Sequence, residues 1–341
     1  MNSNQKKNII YSVVLLAALG VTWLYRQGQD KERRDTFLAI QGQTMGTNYS
    51  IKYEDAQQRN FKSAIDSLLD VFNQSVNHYL PDSEITRFNR GDSLYFELPY
   101  FYPVLERSQE IAQITDGAFD PTVAPLVNAW GFGPEGGELP DSVAVDSLLQ
   151  LVGFDKVRFN REYVVKQEPH VQLNFSAVAK GYGVDVVADY LSQQGVKNMM
   201  VEIGGEVVAR GVNPQGETWR IGIDSPEQPG RMTAAIALDN QALATSGNYL
   251  NYYERDGQKY AHTINPRTGY PVQHSVLSAS VIAPTCMTAD AYATAFMVMG
   301  LEKLKAVLAN DTTLNAYIIY DDQGTLKTFA TPGIEDAINT L

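Results

Sequence analysis

Residues 278–299 read Ser-Ala-Ser-Val-Ile-Ala-Pro-Thr-Cys-Met-Thr-Ala-Asp-Ala-Tyr-Ala-Thr-Ala-Phe-Met-Val-Met. The β-branched and small residues of Ser278–Ile282 predict a strand, and Pro284 punctuates it. From about Thr288 to Met299 the composition predicts a helix, and Leu301–Leu308 predicts another. Whether such a strand-to-helix unit belongs to an α/β or an α+β fold is decided by its neighbours.

Upstream, Asn198–Ile203, Glu206–Val212, Trp219–Ile223, Met232–Leu238 and Ala242–Ser246 read as consecutive strands, after a helix at Ala179–Leu191. Val157–Phe159, Tyr163–Lys166 and Val171–Phe175 suggest a small antiparallel sheet. Apolar residues spaced by threes and fours from Phe61 to Phe72 predict an amphipathic helix over residues 61–76, residues 99–114 look similar, and Phe37–Tyr53 reads as the first strand. No regular βαβ alternation and no internal repeat emerges, so the expected class is α+β, with mixed or antiparallel sheets flanked by helices.

Lys6 and Lys7 precede an apolar run from Ile9 to Tyr25, and Arg26 follows it. Its 17 residues make about 26 Å of helix, just short of the hydrocarbon core, and exceed the usual core of a cleaved signal. Residues 1–30 are therefore expected to be a signal anchor or signal peptide, 31–36 a linker, and 37–341 the folded body. The basic flank should stay cytoplasmic and put the body on the other side of the membrane. A formal charge of −12 and no Lys/Arg cluster outside the N-terminal flanks exclude nucleic-acid binding. The single cysteine, Cys286, allows no intramolecular disulfide and fits a small buried apolar residue.

Asp290 and Thr294 are four apart, so on a helix a carboxylate and a hydroxyl share one face. Both are hard oxygen donors suited to Mg2+, although Asp290 in a first turn would also simply complement the helix dipole. Lys180, near the start of a helix after Asn174-Phe175-Ser176-Ala177, offers an anion site, or else is a solvated charge. Gly204-Gly205 suits close backbone approach, or a plain hairpin turn. His262 stands where a strand meets the Pro266–Gly269 turn, which fits a general base or a structural histidine equally. Neither usual nucleotide-binding fingerprint, no zinc spacing and no serine-hydrolase elbow occurs.

In order, the chain carries Thr44-Met45-Gly46-Thr47; Tyr79 with Asp82-Ser83-Glu84 and Asn89; Gly117-Ala118-Phe119-Asp120-Pro121-Thr122-Val123; and Trp130-Gly131-Phe132. Ala179-Lys180-Gly181-Tyr182, Gly204-Gly205, Thr245-Ser246-Gly247, His262 with Pro266 and Gly269, and Ala289-Asp290 with Thr294 follow. From Gln43 to Gly300 this series resembles the ApbE family of FAD:protein FMN transferases.

The resemblance implies an ApbE-like fold with two lobes around an FAD cleft, preceded here by the apolar N-terminal helix. It implies flavin-nucleotide contacts from Met45, Tyr79, Ala118, Phe119, Asp120, Asn174, Lys180 and Ile264. Mg2+ would sit on the Ala177 carbonyl and the side chains of Asp290 and Thr294, and His262 would take the acceptor's proton. Where many relatives place Asp, this chain has Asn174, a neutral amide. The implied activity moves FMN from FAD to a threonine of an acceptor protein, a Nqr/Rnf-type subunit or an FMN-binding-domain protein, and releases AMP. FAD pyrophosphatase activity and non-catalytic flavin binding are the alternatives.

Overall fold

The structure, a computed structural model, describes residues 33–133, 139–226, 230–247, 252–255 and 258–340, with single positions at Tyr11, Leu15, Leu16 and Leu19; for 252–261 and 339–340 only the backbone is described. The expected N-terminal span Ile9–Tyr25 falls, apart from those four positions, outside the described residues. Among the described residues no helix is long and apolar enough to cross a membrane.

The strands are β1 (Phe37–Thr44), β2 (Thr47–Glu54), β3 (Ser93–Tyr95), β4 (Val157–Phe159), β5 (Tyr163–Lys166), β6 (Met199–Ile203), β7 (Glu206–Arg210), β8 (Trp219–Asp224), β9 (Met232–Leu238), β10 (Gln241–Gly247), β11 (Tyr252–Arg255), β12 (Gln258–Ala261), β13 (Val276–Ala283), β14 (Asn315–Asp322), β15 (Thr325–Ala330) and β16 (Ile338–Thr340). The α-helices are α1 (Lys62–Val76), α2 (Glu84–Arg90), α3 (Phe101–Ile114), α4 (Ala124–Ala129), α5 (Ser142–Leu149), α6 (Ala179–Gln193), α7 (Cys286–Met299) and α8 (Leu301–Asn310). An eight-stranded sheet in the order β1-β2-β6-β7-β10-β13-β14-β15 is the backbone of the fold. Every named strand pair is antiparallel, which together with the helices gives the α+β class.

Period-two alternation sends the two faces of this sheet to different cores. Val208, Ala242, Ala244, Val281, Ala283, Ala316 and Ile318 face the helix side and pack in the cores that include residues of α1, α6 and α7. Val207, Ala209, Leu243, Ile282, Tyr317 and Ile319 face the other way, onto Trp219, Ile223, Ala234, Ile236 and Leu238 of the β8–β9–β16 sheet. Strands covered on both faces read as near-continuous apolar runs, as Ala279–Ala283 does. A smaller helical lobe packs Leu126 and Trp130 against Val145 and Ile264.

Two expectations are corrected. Phe37–Tyr53 is a hairpin, not one strand: Thr44 lies opposite Thr47, and Met45 and Gly46 turn the chain at φ 48° and 71°. Two central residues at positive φ suit a two-residue hairpin, but methionine gives no warning of such a turn. The small sheet has the order β3-β5-β4, and Val171–Phe175 is not in it. Val171, Leu173 and Phe175 are buried, but the backbone of Leu173 is satisfied by the Asn89 carboxamide, which accepts from its N–H at 2.7 Å and donates to its carbonyl at 2.8 Å. A side chain thus occupies the place of a ladder neighbour.

Candidate active site

The floor of the site begins at the entry to α7. Thr285 is its N-cap, accepting from the Thr288 N–H at 3.4 Å, so the helix starts two residues before the expected Thr288. Asp290 consequently lies beyond the first turn, and the dipole reading of that residue no longer applies. Asp290 Oδ2 instead accepts from the Gly181 N–H of α6 at 2.9 Å. In return Asp185 of α6 accepts from the Cys286 and Met287 N–H groups of α7, both at 2.8 Å. Each helix thus supplies the carboxylate that satisfies the other's otherwise unpaired N-terminal donors. The approach requires glycine: a Cβ on Gly181 would lie 2.3 Å from the Cys286 carbonyl oxygen.

Lys180, in the first turn of α6, would be a misplaced cation unless an anion answered it. Glu206 answers through an ion pair from the Lys180 Nζ to its Oε1. Glu206 opens β7 directly after the Gly204-Gly205 turn and stands opposite Ile203. Burial works to strip the Lys180 proton, but the Asp290 and Glu206 carboxylates outweigh it and hold the ammonium above its ordinary pKa. Burial pushes Asp290 up against the pull of Lys180 and raises Glu206 to about 7. Asp185, also buried, is raised to about 7 despite its two N–H donors.

Above this floor lies a cleft of about 850 Å3. Tyr79, Ala118, Phe119, Asp120, Asn174, Ala177, Lys180, His262, Ile264, Asp290 and Thr294 all line it, with Gly204, Glu206, Thr245 and Ser246. Met45 is not among the lining residues: from the hairpin tip it packs on the core, where a Cβ on Gly183 would come within 2.7 Å of its Cε. The Thr294 Oγ1 lies 3.2 Å from the Ser246 Oγ, which links α7 to β10.

The rim is irregular backbone held by side chains. Asp120 Oδ1 accepts from the N–H and hydroxyl of Thr122 at 2.8 and 2.6 Å, and burial raises its carboxyl. The Thr122 hydroxyl in turn accepts from the Gly153 N–H at 2.7 Å. Asn174 Oδ1 accepts from the Ser176 N–H at 2.8 Å, which a neutral amide does as well as a carboxylate. His262 follows β12 directly, its ring centroid 6.5 Å from that of Phe132. The Trp130 Nε1–H donates to the Gly269 carbonyl at 2.7 Å and ties the turn beyond His262 to α4.

Chemically the lining offers the Asp290 carboxylate and the Thr245, Ser246 and Thr294 hydroxyls as hard donors, the Lys180 ammonium for an anion and the His262 imidazole for a proton. Glu206, Asp185 and Ser246 were not picked out as site residues from the sequence. Glu206 carried a signal, a charge at the mouth of the strand Glu206-Val-Val-Ala-Arg, and Ser246 stands in the Thr245-Ser246-Gly247 motif, whereas Asp185 carried none.

Residues 45–318 match the model of the ApbE family. "FAD:protein FMN transferase" of Vibrio cholerae is 40% identical over 296 residues, which cover 84% of this chain and 88% of that protein. The protein of the same name from Haemophilus influenzae is 37% identical, covering 86% of this chain and 89% of its own. Among solved structures, the flavin transferase ApbE from Vibrio cholerae superposes with a TM-score of 0.80 at 36% identity, covering 87% of this chain and 97% of that one. The apo form of Pseudomonas stutzeri flavinyl transferase ApbE gives 0.79 at 31% identity, covering 87% and 95%.

Proposed function

The chain belongs to the ApbE family, and from that premise we propose that it transfers the FMN half of FAD to a threonine hydroxyl of an acceptor protein, releasing AMP. The observation that carries this reading is that eleven of the twelve expected site residues, from well-separated segments, line one cleft. A cavity of about 850 Å3 is within the range of nucleotide-sized ligand sites. Its relatives named FAD:protein FMN transferase supply the class of reaction.

The donor set fits Mg2+. Asp290, Thr294 and Ala177 line the cleft, and a carboxylate, a hydroxyl and a backbone carbonyl are the hard oxygen donors that Mg2+ takes. Bound there, Mg2+ would neutralise charge on the pyrophosphate of FAD. Asp290 is oriented for this by the Gly181 N–H, and Thr294 by Ser246. Lys180 places an ammonium at the first turn of α6, where an anion is favoured. His262 takes the proton of the attacking hydroxyl as the new phosphoester forms and the bond to AMP breaks.

By the family resemblance alone, the acceptors proposed are Nqr/Rnf-type subunits or FMN-binding-domain proteins. The charged flanks and length of Ile9–Tyr25 support a membrane-anchored body on the periplasmic side; protection of that body from protease in intact cells, lost in spheroplasts, is the expected result. The transfer reading is tested by incubating the protein with FAD, MgCl2 and a candidate acceptor. A fluorescent acceptor band whose mass has gained one FMN is expected; free FMN and AMP without an adduct would make the enzyme a pyrophosphatase.

A further inference from the structure

Glu206 is the anomaly of the floor. Its face of β7 is the one that carries Val208 into the helix-side core, and its neighbour across the ladder, Ile203, is in that core too. Alternation reserves such a position for an apolar residue, yet it holds a carboxylate only 2% exposed. One oxygen, Oε1, is engaged by Lys180; the other, Oε2, is buried with no hydrogen-bond partner among the described residues. A buried carboxylate oxygen without a donor costs free energy, and native proteins seldom leave one without a reason. Charge balance for Lys180 is not that reason, because a single oxygen meets it.

Glu206 lines the cleft beside Lys180, so the missing donor can come from what the cleft binds. The phosphates of FAD bring only acceptors, which the Glu206 carboxylate repels and Lys180 attracts. The hydroxyls of its ribityl chain and of its ribose are donors, and both flank the pyrophosphate.

Resting on the transferase reading, we propose that Glu206 is a substrate-binding residue whose Oε2 accepts a hydrogen bond from a sugar or polyol hydroxyl next to the phosphate held by Lys180. The ion pair then reads a phosphate and a neighbouring hydroxyl together, and selects a phosphorylated polyol unit over bare pyrophosphate. Gly204 and Gly205, at φ 63° and 105°, make the tight turn that sets Glu206 in register.

Affinities for FAD, by flavin fluorescence, and for inorganic pyrophosphate, by calorimetry, are to be measured for the wild type and Glu206→Gln at fixed MgCl2. FAD should weaken by about tenfold, the difference between a charged and a neutral acceptor, while pyrophosphate binds as well or better. Unchanged FAD affinity, or an equal loss for both ligands, overturns the proposal. Two further pairs locate the hydroxyl: ADP against 2′,3′-dideoxy-ADP, and FMN against a flavin phosphate with an unhydroxylated chain. The wild type should discriminate within one pair and the variant should not. If the variant does not fold, failure of the wild type to discriminate within either pair is the overturning result. A wild type that binds no FAD at all would remove the transferase reading itself, whereas one that binds and transfers with no preference for the hydroxyls removes only the role of Glu206.

Discussion

The floor and the rim of the cleft solve the same problem by opposite means. On the floor, α6, α7 and the first residue of β7 carry four ionisable groups, the half-buried Lys180 and the buried Asp185, Glu206 and Asp290, all of them tied to a backbone N–H or to each other across regular elements. On the rim, Ala118–Asp120, Asn174–Ala177 and the turn beyond His262 are irregular, and single side chains such as Asn89, Thr122 and Trp130 satisfy their backbone or that of neighbouring segments. Charge sits where the geometry is fixed twice over. The rim's loops can be altered without disturbing the sheet.

The largest effect should come from removing charge at the floor while preserving its hydrogen bond. Asp290→Asn keeps an oxygen for the Gly181 N–H, so the unfolding midpoint should barely move, while flavin transfer falls by about a hundredfold or more. Transfer near the wild-type rate would break the contrast, because the reactive centre would then lie elsewhere. Next comes Gly181→Ala, whose methyl meets the Cys286 carbonyl: a loss of about 2–3 kcal/mol in urea unfolding is expected. A neutral result would mean that the two helices are free to part and that the floor is no more rigid than the rim.

The buried carboxyls also give the floor a pH signature. Burial raises Asp185 to about 7 in the folded chain and raises Glu206 as well, above the roughly 4 of an unfolded carboxyl. Between those values the folded state keeps protons that the unfolded state has released. The stability they contribute is therefore complete below about pH 4 and is lost as pH rises through about 7. Urea midpoints should fall from pH 5 to pH 8, and Asp185→Asn should flatten the fall; an unchanged slope would assign it to other groups. The smallest effect is expected at the rim. Trp130→Phe removes the bond to the Gly269 carbonyl, costs about 1 kcal/mol and should raise the apparent KM for FAD about threefold with kcat unchanged. A fall in kcat instead would show that the rim sets the reactive geometry.

The same division governs what could be read in the sequence. Asp290 and Thr294 were legible because helical spacing places two oxygen donors together, and Lys180 because a cation at a helix start demands an anion. The apolar alternation of β9 and β10 was legible in the same way. The rim residues Tyr79, Ala118–Asp120 and Asn174 entered only through family resemblance, since irregular backbone has no period. Asn89 substituting for a strand, and a positive φ at Met45, leave no local trace. β14 and β15 went unread although Ala316–Ile319 is a buried apolar run, because a short run of that kind fits a buried helix equally. Glu206 was passed over because a glycine pair beside it explains itself as a turn.

The order of the large sheet has a consequence for how the chain comes to be folded. The β1–β2 hairpin finds its neighbour only in β6, where Tyr49 meets Ile203, and the opposite edge is closed by Thr325–Ala330 near the other end of the chain. A two-stranded ribbon is marginal alone, and pairings across such sequence distance must meet the entropy of loop closure before any contact rewards it. Folding should therefore be slow. A nascent chain that ends before Met199 has an open β2 edge with no native partner, so its early strands must be kept from other chains until β6 has been made.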